Sequence, residues 1–192
     1  MIDRIYVDLD DVCNTLAPYF LHLVGCPIGP KDYYSFPVGE KYSKLHEVAN
    51  FMLKSNFFTE ESFWQTFTQK DWASVPQTPW MSWLLDLCCH LVDNVIIATS
   101  PILSPDCAAG KMDWMAANLP DWLQRQFAIT PVKWYFARQG SILIDDNEEN
   151  TSRFIRNGGK AILVPRPWNC LHNQSPAAYI SGCLNRIISG QS

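Results

Sequence analysis

The chain has no C-x-x-C pair, no H-x-x-x-H spacing, no long basic run and no apolar stretch long enough to span a bilayer. Each absence removes a class of function. Cys13, Cys26, Cys88, Cys89, Cys107, Cys170 and Cys183 form an odd set without paired spacing, so neither a disulfide framework nor a zinc knuckle is indicated. Free thiols in a reducing compartment are the expectation. His22, His46, His90 and His172 each stand alone, which favours core or surface roles over metal ligation. A net charge of −4 without a basic patch argues against binding long nucleic acid, although a single nucleotide remains open as a ligand. The N-terminus lacks a charged region followed by an apolar run and a cleavage site. A soluble, cytoplasmic protein with no membrane partner is therefore expected, and a homodimer is compatible with that.

What is present is a folding composition: 192 residues, 47% hydrophobic, 13% aromatic and 18% charged. That suits one domain with a proper core, or a compact domain carrying an insertion. Short, β-branched apolar runs occur at Arg4–Val7, Asn94–Ala98, Ser141–Ile144 and Lys160–Val164. Runs this short read as buried parallel strands. Helical patterns lie between or after them, at Pro79–Leu91, Gly110–Asn118, Glu148–Asn157 and Ala177–Ile188, and Gly158-Gly159 supplies a helix stop. Alternation of this kind predicts an α/β fold with a doubly wound parallel sheet. Residues 17–78 break the rhythm with many aromatic side chains interleaved with Pro and Gly. They predict a mostly helical cap inserted after the first strand, leaving 1–16 and 79–192 as the core.

The first strand runs into acids: Ile5-Tyr6-Val7-Asp8-Leu9-Asp10-Asp11-Val12. Alternation puts Asp8 and Asp10 on one side of an extended backbone, and like charges that close call for a cation or a shared proton. The second run ends in Thr99-Ser100 and the third in Asp145-Asp146-Asn147. Carboxyl ends of parallel strands converge on one edge of the sheet, where open α/β folds build their sites. Nucleophile, acid/base, cation ligands and oxygen donors for phosphoryl transfer all have candidates there. The alternative is a solvated acidic loop.

These motifs resemble the haloacid dehalogenase-like (HAD) phosphatase superfamily: Asp8-Leu9-Asp10-Asp11-Val12, Ile97-Ala98-Thr99-Ser100-Pro101 and Leu143-Ile144-Asp145-Asp146-Asn147. Within it, the Thr99-Ser100-Pro101 and Leu143–Asp146 motifs are similar to the cytosolic 5′(3′)-deoxyribonucleotidases. The stretch from Ala137 to Asn169 is similar to their small phage and bacterial members. The resemblance implies a Mg²⁺-dependent hydrolase of nucleoside monophosphates working through an aspartyl-phosphate. Asp8 would be the nucleophile and Asp10 the acid/base, and Thr99 and Ser100 would contact the phosphate. Mg²⁺ would rest on the Asp8 carboxylate, the Asp10 carbonyl and the Asp145/Asp146 pair, with Asp146 favoured as the direct ligand. A phosphate-neutralising lysine is also implied; Lys133 is the first choice, Lys111 the rival and Arg138 a third. Phe20, Phe63 and Trp64 are candidates to stack on a base. Asp11 departs from the glycine frequent among relatives, and Cys13 reads as a buried structural thiol. Three readings stay beside the nucleotidase: a phosphatase for another small ester, one for a nucleic-acid 3′ end, and a non-catalytic nucleotide-binding relative. A receiver-type signalling domain fits less well, since no acid ends the 94–98 run.

Overall fold

The computed structural model describes residues 2–189. Five strands form one all-parallel sheet: β1 (Arg4–Val7), β2 (Asn94–Thr99), β3 (Phe127–Ile129), β4 (Ser141–Asp145) and β5 (Lys160–Leu163), in the order β3-β2-β1-β4-β5. Alternation along the strands divides the core between the two faces of the sheet. Ile5, Val7, Val95, Ile97, Ile142, Ile144 and Ile162 enter the main cluster, whereas Tyr6, Ala98, Leu143 and Phe154 form a smaller one. Both faces are therefore covered, as a parallel sheet requires. In the smaller cluster Tyr6 stacks on Phe136 with ring centroids 5.1 Å apart.

The long link between β1 and β2 carries α1 (Leu16–Leu23), α2 (Leu45–Met52), α3 (Glu60–Gln65), α4 (Gln69–Ala73) and α5 (Met81–Leu91). After β2 come α6 (Pro105–Asn118), then α7 (Glu148–Arg156) between β4 and β5, and α8 (Pro176–Ile188) at the end. Helix starts follow local chemistry. Thr59 and Thr68 each open a reciprocal capping box, Asn147 caps α7 through its side chain, and Pro105 and Pro176 lie at the first turns of α6 and α8. Gly158, at φ +93, ends α7.

The regular elements of the inserted stretch are helices, and Pro27, Gly29, Pro30, Pro37 and Gly39 break the chain between α1 and α2. Its aromatic side chains join the core of the sheet: Phe20, Phe63 and Trp72 belong to the same buried cluster as Ile5 and Val7. The sequence pattern does not announce β3. It is a three-residue edge strand, half-buried throughout, and joins β2 through Ile97–Phe127, Ala98–Ala128 and Thr99–Ile129.

Candidate active site

Register places the acids. Val7 is level with Ile97 on one side and Ile144 on the other, so Asp8, Thr99 and Asp145 all emerge at one edge of the sheet. A cavity of about 450 Å³ opens there; Asp8, Asp10, Ser100, Lys133 and Asp146 lie on its wall. Asp8, Asp145 and Asp146 bring carboxylate oxygens within 4.8 Å of one another. Lys133, at the start of a 3-10 turn over Lys133–Phe136, lies 2.7 Å from Asp8 Oδ1 and 2.7 Å from Asp145 Oδ2. Three carboxyl groups thus crowd together with one lysine, which pairs with Asp8 and Asp145. Loss of hydration, opposed by Lys133 and reinforced by Asp145 and Asp10, raises the Asp8 carboxyl to about 7. Asp146 is pushed well up by desolvation and by the charges of Asp145, Asp11 and Asp8. Lys133 is held above its ordinary value by Asp145 and Asp8, against the effect of its burial. An all-oxygen donor set can hold a hard divalent cation.

The two acids of the Asp145/Asp146 pair are in different states. Both Asp145 oxygens are engaged: Oδ1 accepts from Asn147 N at 2.9 Å, and Oδ2 accepts from Lys133 and, at 3.1 Å, from Asn150 Nδ2. It is fully buried. Asp146 faces the cavity, and its Oδ2 accepts from Trp168 Nε1 at 2.9 Å.

The two lysines differ as sharply. An ammonium has three donors, and Lys111 has three acceptors: Asp10 Oδ2 at 2.5 Å, Thr99 Oγ1 at 2.9 Å and the Ser100 carbonyl at 2.5 Å. Lys111 is buried and lies behind the cavity wall. Lys133 contacts two carboxylates and stands on the wall, which leaves it a donor for an incoming anion. Arg138 is remote, paired with Asp3 at 2.8 Å on the surface.

Not every anticipated residue reaches the cavity. Thr99 is fully buried beneath Lys111, and of the Thr99-Ser100 pair it is Ser100 that lines the wall, its hydroxyl bonded to the Thr130 carbonyl at 3.2 Å. Phe20 and Phe63 are fully buried. Phe20 stacks on Phe67 at 4.0 Å and meets Trp72 edge-on at 4.6 Å, while Phe63 packs against Phe67 at 5.1 Å. Neither ring has a face left for a ligand, which corrects the expectation that they stack on a base. Of the three aromatic candidates, only Trp64 lines the cavity.

Sequence reasoning missed several residues. Asn14 Nδ2 donates to Asp10 Oδ1 at 3.2 Å, and Asn14 Oδ1 accepts from Asp11 N at 3.2 Å. Asn150 holds Asp145, and Trp168 holds Asp146. Tyr42, Lys44, His46 and Glu60 of the inserted segment complete the mouth. Only the Asn-Glu-Glu-Asn run after Asp146 offered a signal, as a helix cap.

No protein-family model and no curated protein matches the sequence. Solved structures do. A HAD family hydrolase from Deinococcus radiodurans R1, crystallised with bound phosphate and sodium, aligns over 97% of each chain with a TM-score of 0.60 and 12% identity. A haloacid dehalogenase-like family hydrolase from Xanthomonas campestris aligns over 99% of this chain and 97% of its own, with a TM-score of 0.56 and 12% identity. The 2-haloacid dehalogenase from Pseudomonas syringae pv. Tomato DC3000 covers 97% and 99%, with a TM-score of 0.51 and 14% identity. Likeness of backbone at such low identity speaks for architecture, and the architecture of this chain is the α/β fold of the HAD hydrolases.

Proposed function

We propose that the protein is a Mg²⁺-dependent phosphomonoesterase acting on nucleoside monophosphates, in the manner of a 5′(3′)-deoxyribonucleotidase. One observation carries the reading. Asp8, paired with Lys133 at 2.7 Å on the cavity wall, has a second acid, Asp10, two residues away and held independently by Lys111 and Asn14. A nucleophile and a separate acid/base, each with its own support, suit a two-step displacement better than simple anion binding. The phosphate bound to the Deinococcus structure supports the same reading.

In the first step an Asp8 oxygen attacks phosphorus, the ester P–O bond breaks, and the leaving oxygen takes a proton from Asp10. Water then attacks the aspartyl-phosphate, giving its proton to Asp10 and releasing phosphate and the Asp8 carboxylate. Lys133 and the Ser100 hydroxyl face the phosphoryl oxygens, and Lys111 keeps Asp10 and Thr99 in place. The Asp8 and Asp146 carboxylates, with the Asp10 carbonyl, would hold Mg²⁺, while Asp145 supports Lys133. When bound, the ion would offset negative charge on the transferring group. Trp64 is the candidate surface for a base, and the inserted segment narrows the entrance and excludes water.

The test is phosphate release from a panel of nucleoside monophosphates and sugar phosphates, with Mg²⁺ and with EDTA, on the wild type and Asp8→Asn. Metal-dependent release favouring deoxynucleotides, lost in Asp8→Asn while the circular dichroism spectrum is retained, is the expected result. Undiminished turnover in Asp8→Asn would refute the mechanism. Release only from other esters would refute the nucleotide assignment.

A further inference from the structure

Asp11 has φ +57, a backbone region that glycine enters far more cheaply than other residues. Its side chain is buried and occupied. Oδ1 accepts from the Ala17 amide at 3.0 Å, at the start of α1, and from the Tyr33 hydroxyl at 2.6 Å. The Asp11 carbonyl receives Arg166 from the loop after β5, through Nε at 2.6 Å and through Nη2. Arg166 is only 3% exposed and lies between two aromatic faces, 4.5 Å from the Tyr33 centroid and 4.7 Å from that of Trp80. The next carbonyls are gripped in turn: Val12 by Trp80 Nε1 and Thr78 Oγ1, each at 3.0 Å, and Cys13 by Thr78 Oγ1 at 3.2 Å.

A buried guanidinium is costly unless its donors are satisfied, and in this loop they are spent on main-chain oxygens. Nη1 donates to the Pro165 carbonyl at 3.1 Å. Arg166 is not on the wall of the active-site cavity, so it cannot touch a phosphate there. Its side chain is joined to the site through the carbonyl of Asp11, the residue that follows Asp10, and its charge also acts on Asp146. Tyr33 has a second connection: it packs 6.2 Å from Trp168, whose indole donates to Asp146.

We propose that Asp11, Arg166 and Tyr33 are positioning residues for the reaction proposed above. They fix the loop that carries Asp8 and Asp10 and tie the inserted segment to it, so that turnover depends on how that segment is seated. The inference rests on the proposed phosphatase reading. Displacing a reacting group by about 1 Å can cost on the order of 10²-fold in rate; Asp11 itself stands on the cavity wall, whereas Arg166 and Tyr33 do not, so their removal acts at that scale without removing a group that lines the cavity.

The test separates backbone from clamp. Asp11→Gly accepts the positive φ and deletes both side-chain bonds, whereas Asp11→Asn keeps an acceptor oxygen and tolerates the same φ. On the full chain with Mg²⁺ and the best ester of the panel, Asp11→Gly should lower kcat by about 10- to 100-fold with KM little changed. Asp11→Asn should recover most of that loss. Arg166→Lys, which keeps the charge and loses the fork, should behave like Asp11→Gly. Tyr33→Phe, which removes one hydroxyl, should lower kcat several-fold at constant KM. A lower melting temperature with kcat unchanged in Asp11→Gly would overturn the proposal, and if that variant does not fold, an unchanged kcat in Tyr33→Phe would do so. Should the wild type release no phosphate, the functional reading fails separately. The positioning claim is then decided by Mg²⁺ titration calorimetry: weaker binding in Asp11→Gly supports it and equal binding overturns it.

Discussion

Lys133→Met probes the site most directly, because it keeps the aliphatic stem and removes the one cation shared by Asp8 and Asp145. Both carboxylates lie 2.7 Å from Nζ, and the lysine is 1% exposed. Removing one partner of a buried pair costs about 3–5 kcal/mol. For a chain of this size each kcal/mol moves the melting temperature by about 2–4 °C, so the metal-free variant should melt roughly 6–20 °C lower at pH 8. The loss should depend on pH. Asp8 is already raised to about 7 by burial, and without Lys133 it rises further. A carboxyl whose folded-state value is raised contributes stability that is complete below its unfolded value and is lost as pH rises through the folded one. The variant should therefore approach wild type near pH 5, where Asp8 is protonated. Phosphate release should fall by about 10²–10³-fold, the usual cost of losing one charge-stabilising donor. Differential scanning calorimetry across pH 5–8, together with the phosphate assay, measures both. A melting difference under about 2 °C at pH 8, or one that does not change with pH, would refute the dependence of the two carboxylates on Lys133.

Mg²⁺ binding requires deprotonated ligands, and Asp8 and Asp146 are both raised, so loading at pH 6 should release protons and affinity should climb toward pH 8. Titration calorimetry in two buffers of different ionisation enthalpy checks this, and an absence of proton release would count against the ligand set. Gly110→Ala should destabilise by about 1–3 kcal/mol, because a Cβ there would stand 2.3 Å from Trp72 Cβ and 2.5 Å from the Gln69 carbonyl, more than offsetting the better helix propensity of alanine; thermal melting reads the sign. Trp64→Ala should weaken nucleotide use by about 1–3 kcal/mol, the worth of one base–aromatic stack. The kcat/KM ratio between a nucleoside monophosphate and a small aliphatic phosphate reports it, and an unchanged ratio would remove Trp64 from base recognition.

The sequence was most readable where structure is decided locally. Arg4–Val7 is a strand to the residue, because a short β-branched run bounded by acids admits few other conformations. Phe127–Ile129 gave no comparable signal: three half-buried residues at a sheet edge exist as a strand only because β2 offers them partners. The same distinction separates the aromatic candidates. Phe20, Phe63 and Trp64 look alike as a pattern, and which of them meets solvent is set by how α1, α3 and α4 pack their rings on one another, with α4 held close to α6 at Gly110. Lys111 and Lys133 are likewise indistinguishable as letters. Their roles part when acceptors are counted around each Nζ, since three on Lys111 exhaust its donors and two on Lys133 do not. Groups expected to meet substrate stand at strand ends, where register brings them together and a motif can register them. The residues that hold those groups, Asn14, Asn150, Arg166 and Trp168, act through hydrogen bonds whose partners are fixed only by the folded chain. A motif therefore names the carboxylates proposed to react, and the fold alone shows what keeps them aligned.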